Sequence, residues 1–209
     1  MDAEVFRAWI VSVAEVIEAN RDHLTQLDAA IGDADHGINL SRGFTAVLGA
    51  LDSASTTPGA ILTLTGNTLI SKVGGASGPL YGTAFRRAGK ALGDAVDVDL
   101  PALSAALDVA LAGVQQLGAA REGDKTMVDA LAAATRAFSK AIAEGASQDD
   151  ALAVLADAAG AGATATISMQ ALKGRASYLG PRSVGHEDPG AASTALILGA
   201  LRDAARAGR

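Results

Sequence analysis

The sequence contains no cysteine and few aromatic residues, and both shortages limit the structures that it can form. Without cysteine there is no disulfide framework, no thiolate metal site and no cysteine nucleophile. Aromatic side chains account for only 3% of the 209 residues, whereas apolar residues account for 49% and 24 residues are glycine. Small side chains let helices approach one another closely, so this composition favours a helical protein over a β-sandwich.

The chain also lacks an excess of positive charge. Its 17 Lys and Arg residues against 23 Asp and Glu residues give a net charge of −6, and nucleic-acid binding is not expected because it requires a basic face. The start, Met1-Asp2-Ala3-Glu4, has no basic region of a signal peptide. The charge-free run from Ala158 to Leu172 is too short for a membrane span and includes polar residues. We therefore expect a soluble, cytoplasmic protein without membrane insertion.

Apolar residues recur at helical spacing along most of the chain, as Phe6, Ile10 and Ile17 do in the first segment. The length suits one sizeable core, so residues 1–209 are expected to form a single domain. Asp124 is expected to cap one of the helices. The pattern predicts an all-α fold with eight helices, at about residues 3–20, 39–51, 57–73, 81–92, 101–117, 127–141, 147–172 and 191–207.

Three carboxylates lie close together after the first predicted helix. Asp28, Asp33 and Asp35 fall within eight residues, and no lysine or arginine follows until Arg42. Two unit charges about 4 Å apart repel by roughly 4 kcal/mol at a near-surface dielectric, so such a cluster indicates a divalent cation. Mg²⁺ and Ca²⁺ prefer oxygen ligands of this kind, but an EF-hand is excluded because Phe44 stands where its final glutamate would be. The alternative is an ordinary turn without metal.

Two further stretches have the composition of binding loops. Residues 73–83 contain four glycines around Ser77, which would let the backbone approach an anion, although a tight connection between helices is the alternative. No Walker A ending follows, so a P-loop NTPase is excluded. Residues 174–190 form a polar loop rich in Gly and Pro, with Arg175 and Arg182 suited to phosphate.

All these special stretches lie on connections between predicted helices. Connections at one end of an antiparallel bundle can converge on a single site. The dinucleotide-like pattern of residues 160–165 is not counted among them, because no strand precedes it and it fits close helix packing instead. An acidic turn, a glycine-rich anion loop and an arginine loop together indicate a site for a nucleotide polyphosphate with a divalent cation.

Taken in their order along the chain, these stretches resemble the L subunits of bacterial dihydroxyacetone kinases, the DhaL family. The matching segments run through residues 27–190: Leu27–Gly37, Val73–Leu80, Gly123–Met127, Gly174–Gly180 and Gly185–Gly190. The resemblance implies an eight-helix antiparallel barrel with the nucleotide site in the loops at one end. It also implies two Mg²⁺ ions, with Asp28, Asp33 and Asp35 as their ligands. The implied contacts of the ADP or ATP coenzyme are His36, Gly37, Ile38, Asn39, Ala76, Ser77, Gly118, Met127, Arg175, Asp188, Pro189 and Gly190.

By the same resemblance, the chain is a nucleotide-binding phosphotransferase subunit. It would pass a phosphoryl group from the Mg-bound nucleotide to dihydroxyacetone on a separate K subunit. A phosphohistidine M subunit would recharge the nucleotide from phosphoenolpyruvate. From its end near Arg209 and the lack of an upstream domain, the chain is expected to resemble the separate-subunit form. No residue of this chain is assigned a covalent catalytic role.

Three alternatives remain at this point. The first is a subunit of an ATP-dependent ketose kinase whose ATP exchanges freely, and the second is a regulatory module that senses nucleotide. The third is a purely structural helical protein. The sequence also leaves open which ketose is used and whether the chain forms a homodimer.

Overall fold

Helices account for the regular structure of this protein. The structure is a computed structural model that describes residues 1–51 and 56–208. Within these residues it has no β-strand beyond one isolated bridge between Asp2 and Asp97. Its α-helices are α1 (Ala3–Ala19), α2 (Arg21–Ile31), α3 (His36–Ala50), α4 (Pro58–Lys72), α5 (Ser77–Leu92), α6 (Leu100–Gly118), α7 (Met127–Ala143), α8 (Gln148–Ala165) and α9 (Pro189–Ala207). Two 3₁₀ segments, Thr166–Ser168 and Arg175–Ser183, lie between α8 and α9.

Eight of these helices form a closed ring. α1 packs against α3, each helix from α3 to α8 packs against the next one, and α9 returns to pack against α1. The interior of the ring holds most of the buried apolar side chains. Its few aromatic residues meet there, with Trp9 against both Phe6 and Phe85, and Phe44 against Phe85. The prediction of an all-α fold is confirmed.

α2 is a ninth helix that the sequence analysis did not predict. It lies outside the ring, where it contacts α3, α9 and the second 3₁₀ segment. Only Leu24, Asp28 and Ile31 are buried along its 11 residues, so its apolar stripe is narrow and gives a weak helical signal. Asp28, which the sequence analysis assigned to a turn, is part of this helix.

Glycine allows α4 and α5 to pack with their backbones in contact. A methyl group at Gly66 would lie 2.5 Å from the main-chain nitrogen of Arg86, and one at Gly89 would lie 2.6 Å from the carbonyl oxygen of Gly59. Both distances are far below van der Waals contact, so only glycine fits at these positions. The close helix approach inferred from the small-residue composition is therefore present.

The helix boundaries differ from the predicted ones at the ends that surround the loops. α3 and α5 begin three and four residues earlier than predicted, at His36 and Ser77. α8 was predicted to reach residue 172, but it ends at Ala165 and continues only as a short 3₁₀ turn. Asp124 does not cap α7: Thr126 does so, in a capping box with Asp129, while the Asp124 carboxylate accepts from the Arg121 N–H at 2.9 Å.

Two segments are long and apolar enough to cross a membrane by length and composition alone, α6 and Gln148–Ser168. Core helices of soluble proteins meet the same criterion, so the finding is weak evidence for a membrane span. In this structure both segments are members of the helical ring and pack against neighbouring helices.

Candidate functional site

Four helices begin at one cavity. The N-terminal residues of α3, α5, α7 and α9 are His36, Ser77, Met127 and Pro189, and all four line a cavity of about 240 Å³. Because these helices alternate in the chain with helices that run back, successive members of the ring are antiparallel. Helix N-termini carry unpaired N–H groups and a partial positive charge, so their convergence favours an anionic ligand.

The three carboxylates of the acidic turn come together at this cavity. Asp28, Asp33 and Asp35 each offer an oxygen, and these oxygens lie within 4.8 Å of one another. The turn is made at Ala34, whose φ of +61° is rare outside glycine and brings its two neighbours to the same side. Asp28 fixes the turn by accepting the N–H groups of Asp35 at 2.9 Å and His36 at 3.2 Å. Three oxygen donors in this arrangement fit a hard divalent cation such as Mg²⁺.

A basic side chain bridges the mouth of the cavity. Arg175, from the polar loop 174–190, forms an ion pair with the carboxylate of Asp33 at 3.0 Å. The Arg175 side chain is 69% exposed, so this surface pair contributes little to stability and its guanidinium can move to another anion. The arginine loop and the acidic turn thus meet, as predicted from the sequence.

A buried network of polar side chains connects three of the helix N-termini. The His36 ring lies between two hydroxyls, with Nδ1 3.1 Å from Ser77 Oγ and Nε2 2.8 Å from Ser193 Oγ. The Tyr81 hydroxyl lies 2.7 Å from Ser193 Oγ and donates to the carbonyl oxygen of Gly190 at 2.7 Å. These contacts fix α3, α5 and α9 relative to one another at the cavity.

Burial sets the protonation states in this network. It lowers the pKa of His36 to about 4, against the opposing effect of the Asp28 carboxylate, so the ring is neutral at pH 7. Burial also raises the pKa of Tyr81 above its ordinary value, which keeps the hydroxyl protonated. Both groups therefore act as neutral hydrogen-bond partners.

Asp188 caps the start of α9 and has a raised pKa. Its carboxylate accepts the Ala191 N–H at 2.7 Å and caps the helix. Burial raises the pKa of Asp188 to about 7, although the Ala191 N–H and the charge of Lys125 oppose the increase. The carboxyl is therefore partly protonated at neutral pH.

The glycine-rich stretch supplies a helix start without a side-chain cap. Thr126 and Asp188 cap α7 and α9 with their side chains, but no side chain caps α5, which starts at Ser77 after Ala76. Its first N–H groups remain available to a ligand. This arrangement fits the anion-loop interpretation better than that of a mere connection.

The structure brings most of the predicted site residues to the cavity wall. These are Asp28, Asp33, Asp35, His36, Ala76, Ser77, Met127, Arg175, Asp188, Pro189 and Gly190.

Four predicted residues do not line the cavity. Gly37 packs against the backbone of α2, Ile38 is 51% exposed on the outer surface, and Asn39 is buried and accepts from Arg42 at 2.9 Å. Gly118 lies at the end of α6, where a methyl group would be 3.4 Å from a cavity-lining residue, Leu80.

The sequence analysis missed two cavity residues with distinctive environments, Tyr81 and Lys125. Tyr81 lies four residues after Ser77, hence on the same face of α5, and helical spacing could have identified it. Lys125 lies inside the matching segment Gly123–Met127, but nothing in its sequence position indicates that the ammonium group turns inward.

Comparison with known proteins identifies the family. The sequence profile described as the DAK2 domain matches residues 30–203. The chain belongs to the DAK2 domain family. Within this family it is 42% identical over 199 residues to the "PEP-dependent dihydroxyacetone kinase, ADP-binding subunit DhaL" of Escherichia coli K12, and the alignment covers 95% of each chain. A DhaL subunit of Listeria innocua is 39% identical over 92% of each chain. The resemblance to DhaL subunits noted in the sequence is confirmed.

A solved dihydroxyacetone kinase structure contains the same fold. The dihydroxyacetone kinase of C. freundii superimposes with a TM-score of 0.73 at 27% identity, over 97% of this chain. The present chain spans only 34% of that kinase's length. The same kinase in complex with AMP-PNP and Mg²⁺ gives a TM-score of 0.71 at 29% identity.

Proposed function

We propose that this chain is the ADP-binding phosphotransferase subunit of a phosphoenolpyruvate-dependent dihydroxyacetone kinase, with residues 1–209 acting as one nucleotide-binding domain. One observation carries the proposal above the others. Three carboxylates within 4.8 Å of one another lie at the convergence of four helix N-termini, in a chain 42% identical to a DhaL subunit. The carboxylates would bind the metal ions, and the helix N-termini would attract the phosphates. The arrangement therefore fits a metal–polyphosphate complex.

The acidic turn would hold the metal. We assign Asp28, Asp33 and Asp35 to two Mg²⁺ ions, whose bound charge would neutralise phosphate oxygens and position them for transfer. Arg175 pairs with Asp33, and we expect it to exchange this partner for a phosphate when nucleotide and metal bind.

The helix starts would hold the nucleotide. Ala76 and Ser77 present the uncapped N-terminus of α5, which suits a phosphate group. We expect Asp188, Pro189 and Gly190 to contact the nucleotide at the start of α9.

The remaining contacts would lie around these groups. Met127 lines the same cavity, and Gly118 lies beside it. Since Gly37 and Ile38 lie in the first turn of α3, they would act through their main-chain N–H groups, whereas the His36 N–H already donates to the Asp28 carboxylate at 3.2 Å. Likewise, the Asn39 N–H already donates to the Asp35 carbonyl at 2.8 Å.

The substrate and phosphate donor would come from partner subunits. The relatives' names describe phosphoenolpyruvate-dependent and PTS-dependent kinases with an ADP-binding subunit. We propose a K subunit that holds dihydroxyacetone and a phosphohistidine M subunit that recharges ADP, all in the cytoplasm. An ATP-exchanging ketose kinase is the second candidate, because a D-erythrulose kinase of Mycolicibacterium smegmatis is 34% identical over 92% of this chain.

Native mass spectrometry of the freshly purified chain in magnesium, before and after EDTA, tests the proposal. We expect a mass excess of one ADP and two Mg²⁺ that is lost with the chelator. A bare chain that binds added ATP would favour the exchanging kinase. A bare chain that binds neither ADP nor ATP in magnesium would contradict the nucleotide site altogether.

A further inference from the structure

Lys125 is a buried cation in the wall of the cavity. Only 1% of its surface is exposed, although a buried ammonium is costly unless its protons are hydrogen-bonded. It has no ion-pair partner within 4.0 Å among the described residues. Its Nζ donates instead to two main-chain carbonyl oxygens, that of Thr166 at 2.6 Å and that of His186.

The two acceptors lie at opposite ends of one long connection. Residues 166–188 join α8 to α9 and carry Arg175 in their middle. The ends of this connection also bond to each other, since the Asp188 N–H donates to Thr166 Oγ1 at 3.0 Å and the Gly185 N–H donates to the Ile167 carbonyl at 2.7 Å. Lys125 is the side chain that ties both ends to the turn before α7.

We propose that Lys125 is a positioning residue that holds the base of the connection 166–188 closed, so that Arg175 and Asp188 face the cavity. Its ammonium protons are directed to backbone carbonyls, so it acts through the loop and not by contact with the nucleotide. The inference rests on the proposed nucleotide site and deepens it, by naming the group that keeps two of its residues in place.

The local backbone supports a role for the side chain. Lys125 has a φ of +61°, in the left-handed region where glycine would be more stable. A lysine at a position that favours glycine indicates that its side chain provides something that glycine cannot. Burial lowers the pKa of Lys125, and the charges of Asp188, Asp129 and Glu187 oppose this decrease.

Three variants separate the ammonium from the backbone and from general stability. Lys125→Met keeps the length of the side chain but removes its donors. Lys125→Gly also removes the donors, yet relieves the left-handed backbone. Thr65→Ala is the matched control: Thr65 is fully buried in α4, away from the cavity, and its hydroxyl bonds within its own helix at 2.9 Å.

Two measurements are made on the full chain: ADP affinity in magnesium by calorimetry, and the rate of tryptic cleavage at Arg175 and Arg182. Both Lys125 variants should bind ADP roughly tenfold to a hundredfold more weakly, the affinity equivalent of leaving a buried acceptor unpaired. Both should be cleaved faster than wild type within the connection 166–188, with or without nucleotide. Thr65→Ala should lower the melting temperature but leave ADP affinity and the cleavage pattern unchanged.

Several outcomes would overturn the inference. One is an ADP affinity of Lys125→Met within twofold of wild type. Another is normal ADP binding by Lys125→Gly together with weak binding by Lys125→Met, which would mean that the backbone conformation causes the loss. Loss of the helical circular-dichroism spectrum in Lys125→Met would also contradict it, because a positioning residue leaves the core intact. If the wild-type chain bound no ADP, the proposed function would fail, and the cleavage rates of the nucleotide-free proteins would still decide whether Lys125 closes the loop.

Discussion

Replacing Asp35 by asparagine should have opposite effects on stability in the absence and presence of ligand. Asp35 shares the cluster with Asp28 and Asp33, and its carboxylate has no ion-pair partner among the described residues. Asp33 is different, because it pairs with Arg175. Asp35→Asn therefore removes two repulsive charge pairs without breaking an attractive one.

The gain in the metal-free state follows from the geometry. At 4.8 Å, the upper limit of the oxygen separations, each repulsive pair costs about 0.9 kcal/mol in bulk water and about 3.5 kcal/mol at an effective dielectric of 20. Two pairs in water amount to about 1.7 kcal/mol. Asp35 also precedes the first residue of α3, where its charge contributes about 0.5 kcal/mol with the helix dipole. The net gain is about 1 kcal/mol, or roughly 2–4 °C in melting temperature for a chain of this size.

Thermal unfolding in EDTA at low salt, and again with Mg²⁺ and ADP, measures both effects. The variant should melt higher than wild type in EDTA. With ligand the order should reverse, because wild type gains about 2.7 kcal/mol at a ligand concentration of 100 Kd and the variant gains little. Asp33→Asn is the control, since the loss of the Arg175 pair should offset part of its gain. About 1 M NaCl should remove most of the difference in EDTA.

A variant less stable than wild type in EDTA would refute this reasoning. It would mean that the Asp35 carboxylate stabilises the turn itself, and that the acidic cluster is structural. A higher melting temperature in EDTA combined with an unchanged response to Mg²⁺ and ADP would refute the metal assignment alone.

Three further predictions concern the surroundings of the site. Tyr81→Phe removes the hydroxyl that donates to Gly190 and should lower the free energy of unfolding in urea by about 1–3 kcal/mol; an unchanged transition midpoint would contradict the network. Asp188→Asn keeps the helix cap and should gain stability relative to wild type as pH rises from about 4 to 7. The folded-state pKa of Asp188, about 7, exceeds the ordinary 3.8, so wild type loses stability in that pH range. Equal slopes of unfolding free energy against pH for the two proteins would contradict this prediction. Gly37→Ala should destabilise the protein and weaken Mg²⁺ binding, since the new methyl group would overlap the Arg21 carbonyl. A higher melting temperature, as expected for alanine in an open helix, would instead show that α2 can move away.

The sequence alone was sufficient for the all-α class and for identifying most of the stretches that meet at the cavity. Helical periodicity is a local property, and the pattern around Phe6 and Ile10 identifies α1 without knowledge of its neighbours. The acidic turn is similarly local, because Asp33 and Asp35 are two residues apart and one conformation at Ala34 brings them together. α2 was missed because it lies outside the ring and buries only a narrow face.

Only the tertiary structure decided how the motifs combine. Ser77 and Pro189 were read as loop residues, yet they start helices whose N-termini meet at one cavity, because antiparallel neighbours place alternate starts at the same end. Lys125 and Tyr81 act through partners 41 to 109 residues away in the chain. A buried ammonium or hydroxyl is stable only when it is hydrogen-bonded, and here the packed helices bring its partners within reach. No local sequence pattern predicts such partners.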